Sequence, residues 1–216
     1  MLDVALGEIY GSRLNEMGRD VFRPMGRMTL REWSGRYRKW PDGSPYLVSK
    51  TPHLAEVLDA YSDPSVEEIT IVKGTQSGFT DGLAINLIGY HVDHDPRALL
   101  MVIPSVDEAE KWSKKKLQPM LDSTPQLAGR LEEGSRKASN TILEKSFAGG
   151  SLGIVGSNSG RGFRMVTIGT AVGDDVEGWD ATAGKGDERE GDQIGLIRRR
   201  TDRIPDRKLV WISTPR

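Results

Sequence analysis

The sequence predicts an α/β fold with a mostly parallel, twisted central sheet. Three observations carry that expectation. From residue 51 onward, short apolar runs rich in β-branched residues alternate with stretches of helical periodicity. The runs ITIV (69–72) and RALLMVIPS (97–105) are apolar almost throughout, as strands covered on both faces are. Polar and turn-forming residues directly follow three of the strand-like runs, at the carboxyl ends where open parallel sheets gather their ligands.

The elements follow in chain order. Residues 1–50 carry arginine, tryptophan and proline with weak periodicity and are expected to lead into the domain that spans 51–216. Within them Tyr37, Arg38, Trp40, Pro41 and Asp42-Gly43 read as a helix end followed by turns. Thr51 is an expected N-cap with Pro52 at the first helical position, and Leu54, Val57, Leu58 and Tyr61 recur at helical spacing. The 69–72 strand leads through a glycine-containing loop into the helix TDGLAINLIGY, with Leu83, Leu87 and Ile88 on one side. A second buried strand precedes the amphipathic helix VDEAEKWSKKKLQPML. TILEKSF and SLGIVG pair as a hairpin across Ala148-Gly149-Gly150. TAVGDD (170–175) is a short strand ending in carboxylates, DQIGLIRRRTDR is a helix, and RKLVWISTPR (207–216) is the last strand. There is no internal repeat and no low-complexity segment.

Composition narrows the chemistry. With 216 residues, 37% apolar and 28% charged, the chain is long enough for one sizeable core and reads as soluble. No apolar run is long enough to span a bilayer, and the N-terminus lacks the pattern of a signal peptide. The absence of cysteine excludes disulfides, thiolate catalysis and cysteine zinc sites. His91 and His94, flanked by Asp93 and Asp95, have metal-like spacing, but the stretch reads as a solvated helix-to-strand loop. A net charge of −1 does not advertise a nucleic-acid coat, and the clusters Lys114 to Lys116 and Arg198, Arg199, Arg200 with Arg203 read as solvated helix faces.

Three strand ends carry the chemistry. After residue 72 comes KGTQSGFT. Binding a triphosphate needs inward backbone N–H groups, a helix N-terminus, a cation and a hydroxyl for magnesium. Gly74 and Gly78 give backbone freedom, Thr80 gives the hydroxyl, and Lys73 is the only cation in the loop. The usual lysine position, just before the hydroxyl, holds Phe79, and Asp81 brings a negative charge towards any phosphate. Alone, the loop fits either a nucleotide site with a displaced lysine or an ordinary strand-helix turn. At 174–175 two adjacent carboxylates point different ways: one could hold magnesium and the other the attacking water, or both belong to an acidic turn. Ser213 and Thr214 could bond a γ-phosphate or its water, or simply precede a proline turn. Loop, acid pair and Ser-Thr occur in the order of a P-loop ATPase with one extra strand between loop and acids. Upstream, Tyr46 or Trp40 could stack on a base, Trp40 being the better candidate for core packing.

Four stretches resemble one family, the large terminase subunits of tailed bacteriophages, in particular the lambda-like branch. YSDPSVEEITIVKGTQSGFT is similar to its segment leading into a deviant Walker A loop with the lysine at the front, GSNSGRGFRMVTI to its Asn-Ser-x-Arg-Gly-Phe-Arg segment, AVGDDVEGWD to its Walker B strand, and EGDQIGLIRRRTDRIPDRKLVWISTP to its helix and the strand ending in a Ser-Thr-Pro coupling motif. The resemblance runs from about residue 30 to the C-terminus.

The resemblance implies a P-loop NTPase-type three-layer sandwich acting as an ATP-driven motor that packages double-stranded DNA. It implies ATP and Mg2+ as cofactors. Lys73, Gly74, Thr75, Gln76, Ser77, Gly78, Phe79 and Thr80 would form the ATP-binding loop, with Lys73 on the phosphates. Thr80 and Asp174 would hold the metal, Asp175 would be the catalytic carboxylate, and Ser213-Thr214 would couple hydrolysis to movement. The family usually has glutamate where Asp175 stands, so a side chain one methylene shorter is expected to cost on the order of a hundredfold in rate; Glu177 is the possible substitute. Gly169, Thr170 and Gly173 stand where the family is bulkier. The family sometimes carries an arginine in the loop, where this chain has Gln76, so Arg161 and Arg164 are the candidate arginine contacts. The implied partners are double-stranded DNA, a terminase small subunit, a portal protein and further copies in a ring, in the host cytoplasm and without a membrane. The family continues into a nuclease domain; this chain ends at Arg216 as a fragment or an isolated motor domain, and no nuclease activity is expected of its residues. Two other readings fit the same motifs: a helicase-like ATPase that remodels nucleic acid, and a catalytically degenerate binding module descended from a terminase.

Overall fold

The computed structural model describes residues 28–131, 141–159, 168–179 and 192–215. Its centre is a six-stranded sheet of β1 (Glu68–Val72), β2 (Ala98–Ile103), β3 (Glu144–Phe147), β4 (Gly150–Gly156), β5 (Thr170–Gly173) and β6 (Lys208–Ser213). The strand order is β1-β6-β5-β2-β4-β3, and every pairing is parallel except the β3–β4 hairpin.

Side-chain alternation divides the core in two. Leu99, Met101 and Ile103 of β2 point to one face with Val172, Val210 and Ile212; Leu100 and Val102 point to the other with Ala171, Leu209 and Trp211. Both sets are buried, which explains why these strands read as continuous apolar runs. The first face is covered by α1 (Leu30–Tyr37), α2 (Pro52–Ser62), α3 (Asn86–Asp93, continuous with a π-helical segment Thr80–Ile85), α4 (Val106–Trp112) and α5 (Gln118–Ser123). The second is covered by α6 (Gln193–Thr201) through Ile194, Leu196 and Ile197. Helices thus lie on both sides of the sheet, the three-layer arrangement expected of this pattern.

Local chemistry fixes the helix starts. Thr29 and Glu32 form a reciprocal capping box on α1, the Ser105 hydroxyl caps α4, and Asp192 caps α6. Thr51 stands at the expected N-cap of α2 but makes no capping bond; its hydroxyl lies 3.1 Å from the Tyr46 hydroxyl and donates to the Val48 carbonyl. Leu30 and Trp33 of α1 enter the same core as α2 and α3, where the Trp33 ring fits over Gly89 and its Nε1–H donates to Asp93 at 2.9 Å.

The 91–95 stretch departs from the solvated loop expected of it. His91 and Asp93 are buried, and among the described residues no cluster of acids and histidines could hold a metal ion. The His91 Nδ1–H donates to the Asp95 carbonyl at 2.7 Å, and its Nε2 accepts from the Tyr61 hydroxyl, which lies 3.1 Å from the Thr170 hydroxyl on β5. The helix end turns inward because this relay satisfies the polar groups it buries. Burial lowers the His91 pKa to about 4, so its 3.4 Å approach to the Asp95 carboxylate is no ion pair near neutrality.

A folded pKa near 4, against an ordinary 6.5, means the unfolded chain binds the extra proton between those values. The stabilisation is fully present above pH 6.5 and is lost as pH falls towards 4. Urea denaturation at stepped pH is expected to show a decline of roughly 3 kcal/mol across this window, flattened in His91→Gln.

Candidate active site

The three chemistry-bearing strand ends are neighbours. β1, β6 and β5 lie side by side in parallel, with Val72 opposite Ser213 and Gly173 opposite Trp211. The Lys73 N–H donates to the Ser213 carbonyl at 2.8 Å, extending the ladder one residue beyond β1. From there the Lys73 ammonium donates to Thr214 Oγ1 at 2.7 Å and to Asp175 Oδ1 at 3.1 Å. Thr214 Oγ1 in turn donates to Asp175 Oδ1 at 3.2 Å. Residues 141 and 102 positions away therefore meet on one cation.

The loop is shaped by two left-handed residues, Gln76 at φ 57° and Gly78 at φ 81°. Gly78 suits that region; at Gln76 it costs about 1 kcal/mol or more, a strain that clusters at ligand-binding loops. The Ser77 hydroxyl closes the loop on the Gly74 carbonyl at 2.7 Å, and His53 Nε2 donates to the Ser77 carbonyl at 2.9 Å. Phe79 has helical backbone angles and sits partly buried against the core, its ring 5.8 Å from that of His53. It anchors the loop to the helix that follows.

Thr80 Oγ1 donates to Asp174 Oδ2 at 2.8 Å. Asp174 is buried, and desolvation raises its pKa, reinforced by Asp175 and opposed by the Thr80 hydroxyl and by Lys73. Asp175 adopts a left-handed conformation at φ 47°, which turns the chain after the acid pair into the 3₁₀ turn that carries Glu177. Glu177 Oε2 accepts from the Ser213 hydroxyl at 2.9 Å and the Thr214 N–H at 2.8 Å. Burial alone would raise the Glu177 pKa, but these bonds and the Lys73 charge hold it below the ordinary range.

Gly173 has a packing reason. A Cβ on Gly173 would lie 2.6 Å from the Trp179 ring and 2.9 Å from that of Trp211. Those rings meet edge to face at 6.1 Å, and the Trp179 Nε1–H donates to the Asp174 carbonyl at 3.1 Å. Thr170 belongs to the Tyr61–His91 relay.

Loop, acids and Thr214 line one cleft of about 970 Å³. Ser105, Glu108, Asn158 and Lys116 also line it; of these the sequence singled out only Lys116, as part of a lysine cluster. Lys114 to Lys116 are exposed, as a solvated face requires; Lys116 also lines the cleft and pairs with Asp81 at 3.0 Å, while Lys114 pairs with Glu110 on its own helix. Tyr46 is buried, tilted against Trp40 at a ring distance of 5.7 Å, and offers no open face to a base. Arg161 and Arg164 lie outside the described residues.

Residues 43–216 match the family described as phage terminase large subunit gpA, ATPase domain. The chain belongs to that family. The terminase large subunit of Escherichia phage lambda is 25% identical over 205 residues, covering 92% of this chain and 31% of that protein. The counterpart from Enterobacteria phage P21 is 20% identical over 194 residues, covering 88% and 29%. The chain thus spans about a third of the length of these curated terminase relatives. The HK97 bacteriophage large terminase superposes with a TM-score of 0.65 at 13% identity, covering 86% of this chain and 38% of that one. The ATPase domain of a Thermus phage large terminase gives 0.50 at 13% identity, covering 69% and 60%. At these identities the structural likeness speaks for the fold, which is that of a terminase ATPase domain.

Gly173→Ala is expected to cost about 1–3 kcal/mol by overpacking the two tryptophans, measured as a drop in urea midpoint at unchanged slope. Gly169→Ala, whose Cβ would meet its nearest atom, Arg97 Cδ, at 3.2 Å, is expected to cost less.

Proposed function

We propose that the cleft binds and hydrolyses Mg-ATP and that hydrolysis drives double-stranded viral DNA into a procapsid. The observation that carries this reading is that Lys73, Asp175 and Thr214 meet at the cleft, which Thr80 also lines while bonded to the buried Asp174. Lys73 takes the β and γ phosphates, the backbone of residues 74–79 surrounds them, and the N-terminus of the following helix faces them.

The Thr80 hydroxyl and the Asp174 carboxylate suit Mg2+, a hard cation that takes oxygen ligands. Their 2.8 Å separation supports this, and so does the buried charge of Asp174, which a cation would compensate. The metal, when bound, supplies Lewis-acid polarisation of the phosphate oxygens. Asp175 is the carboxylate that accepts a proton from, or orients, the attacking water; its side chain is half exposed to the cleft. Glu177 is committed to Ser213 and Thr214, so its role is to hold the coupling segment against the acid loop. A phosphate that draws Lys73 away from Thr214 and Asp175 loosens the tie between β1 and β6, which gives hydrolysis a route to the rest of the motor.

The remaining roles rest on family membership. The motor grips DNA by its phosphates, so its affinity falls steeply with salt. It works in the host cytoplasm as a homo-oligomeric ring with a small subunit and a portal protein, and Arg161 or Arg164 supplies an arginine to the phosphates. Among the described residues no helix is long and apolar enough to cross a membrane.

Steady-state hydrolysis and Mg-ATP binding test the assignment. Lys73→Ala is expected to abolish hydrolysis and to weaken Mg-ATP binding. Asp175→Asn is expected to lower kcat by about a hundredfold or more with little change in nucleotide affinity. Parent-like turnover in Asp175→Asn, alongside inactivity in Glu177→Gln, would move the catalytic role to Glu177.

A further inference from the structure

We propose that Lys116 is a second phosphate-binding cation of the cleft, placed for the α-phosphate end of the nucleotide, and that Asp81 holds its ammonium in position until nucleotide arrives. The proposal rests on the reading of the cleft as a nucleotide site. It starts from a charge imbalance. Among the described residues lining the cleft, the lysines are Lys73 and Lys116, while Asp81, Glu108, Asp175 and Glu177 are acids. A polyphosphate entering this space needs positive charge, and the Lys73 ammonium is already shared between Asp175 and Thr214.

Lys116 reaches the cleft from a different helix. It lies in the π-helical segment Ser113–Leu117, between α4 and α5, and reaches Asp81 at 3.0 Å in the π-helical segment Thr80–Ile85. π-Turns shift the helical register and recur at functional sites. Here two of them pack against each other, joined by one ion pair between residues that both line the cleft. That pair is solvent-accessible, with side chains 41% and 34% exposed. Such a pair contributes little to stability, so the lysine can leave it for the stronger charge-assisted bonds that a phosphate accepts.

The placement follows from the other ligands. Lys73 serves the β and γ phosphates, and Thr80 with Asp174 would hold the metal. Asp81 is the next residue along the helix from Thr80, beyond the metal ligands, so a cation beside it meets the remaining α-phosphate. Asp81, an unwelcome charge at the start of a phosphate-binding helix, thereby acquires a purpose as the parking partner of Lys116.

The experiment is a mutant cycle on the 216-residue chain, titrated with Mg-ATP and with Mg-ADP. Lys116→Ala is expected to weaken both nucleotides about tenfold and to a similar degree, with Lys116→Arg retaining most of the affinity. Lys73→Ala is expected to weaken ATP more than ADP. Asp81→Asn is expected to tighten both nucleotides, and Asp81→Asn/Lys116→Ala to bind more weakly than Asp81→Asn alone. If the double variant binds as well as Asp81→Asn, Lys116 only screens Asp81 and the proposal is overturned. A loss confined to ATP overturns the α-phosphate placement. Parent-like binding in Lys73→Ala would instead overturn the nucleotide-site reading itself.

Discussion

Lys73 carries a positive charge on a side chain only 10% exposed. A cation so nearly removed from water must be given oxygen partners, and its own strand has none to offer. They come from the loops after β5 and β6, through Asp175 and Thr214. Both can be present only if β1, β6 and β5 are adjacent, parallel and in the register that ends them together. The rest of the cleft follows from that arrangement. With β5 in place, Asp174 stands beside Thr80, and with β6 in place, Ser213 and Thr214 lie within reach of Glu177. The architecture can be understood as the solution to one desolvated lysine.

The apolar runs of β2 and β6 and the helical spacing of α2 made the α/β class legible, because both sheet faces are covered and the periodicities are clean. The order of lysine loop, acid pair and Ser-Thr was enough to place three strand ends at one edge. Less legible were the features fixed by distant partners. His91 looked like part of a polar surface loop, yet Tyr61, 30 residues earlier, turns it inward. Gly173 looked like a weakness in a strand, and its reason is a pair of tryptophan rings that only the fold assembles. Lys116 belonged to a run of three lysines; the π-helical register that aims it at Asp81 leaves no mark in the residue pattern. Phe79, where a lysine would usually stand, proved to be a packing residue that seats the loop on the core beside His53.

Among the acids, position separates what composition could not. Asp174, Asp175 and Glu177 lie within four residues, yet one is buried against a hydroxyl, one opens to the cleft beside a cation, and one caps the end of β6. The left-handed turn at Asp175 produces this divergence, since an extended chain would send residues 175 and 177 to the same side. A stretch that reads as an undifferentiated acidic turn becomes three environments, in one of which burial raises the pKa (Asp174) and in another hydrogen bonds lower it (Glu177).

The tryptophan pair beneath the acid loop has an optical consequence. Trp179 and Trp211 stand nearly perpendicular, at 87° and 6.1 Å between ring centres, close enough for their electronic transitions to couple. One indole is hydrogen-bonded to the Asp174 carbonyl and the other is built into β6, two residues before Ser213. A circular-dichroism couplet from this pair would depend on the angle between the two rings, so the chain carries a built-in spectroscopic gauge of how the acid loop is oriented against β6.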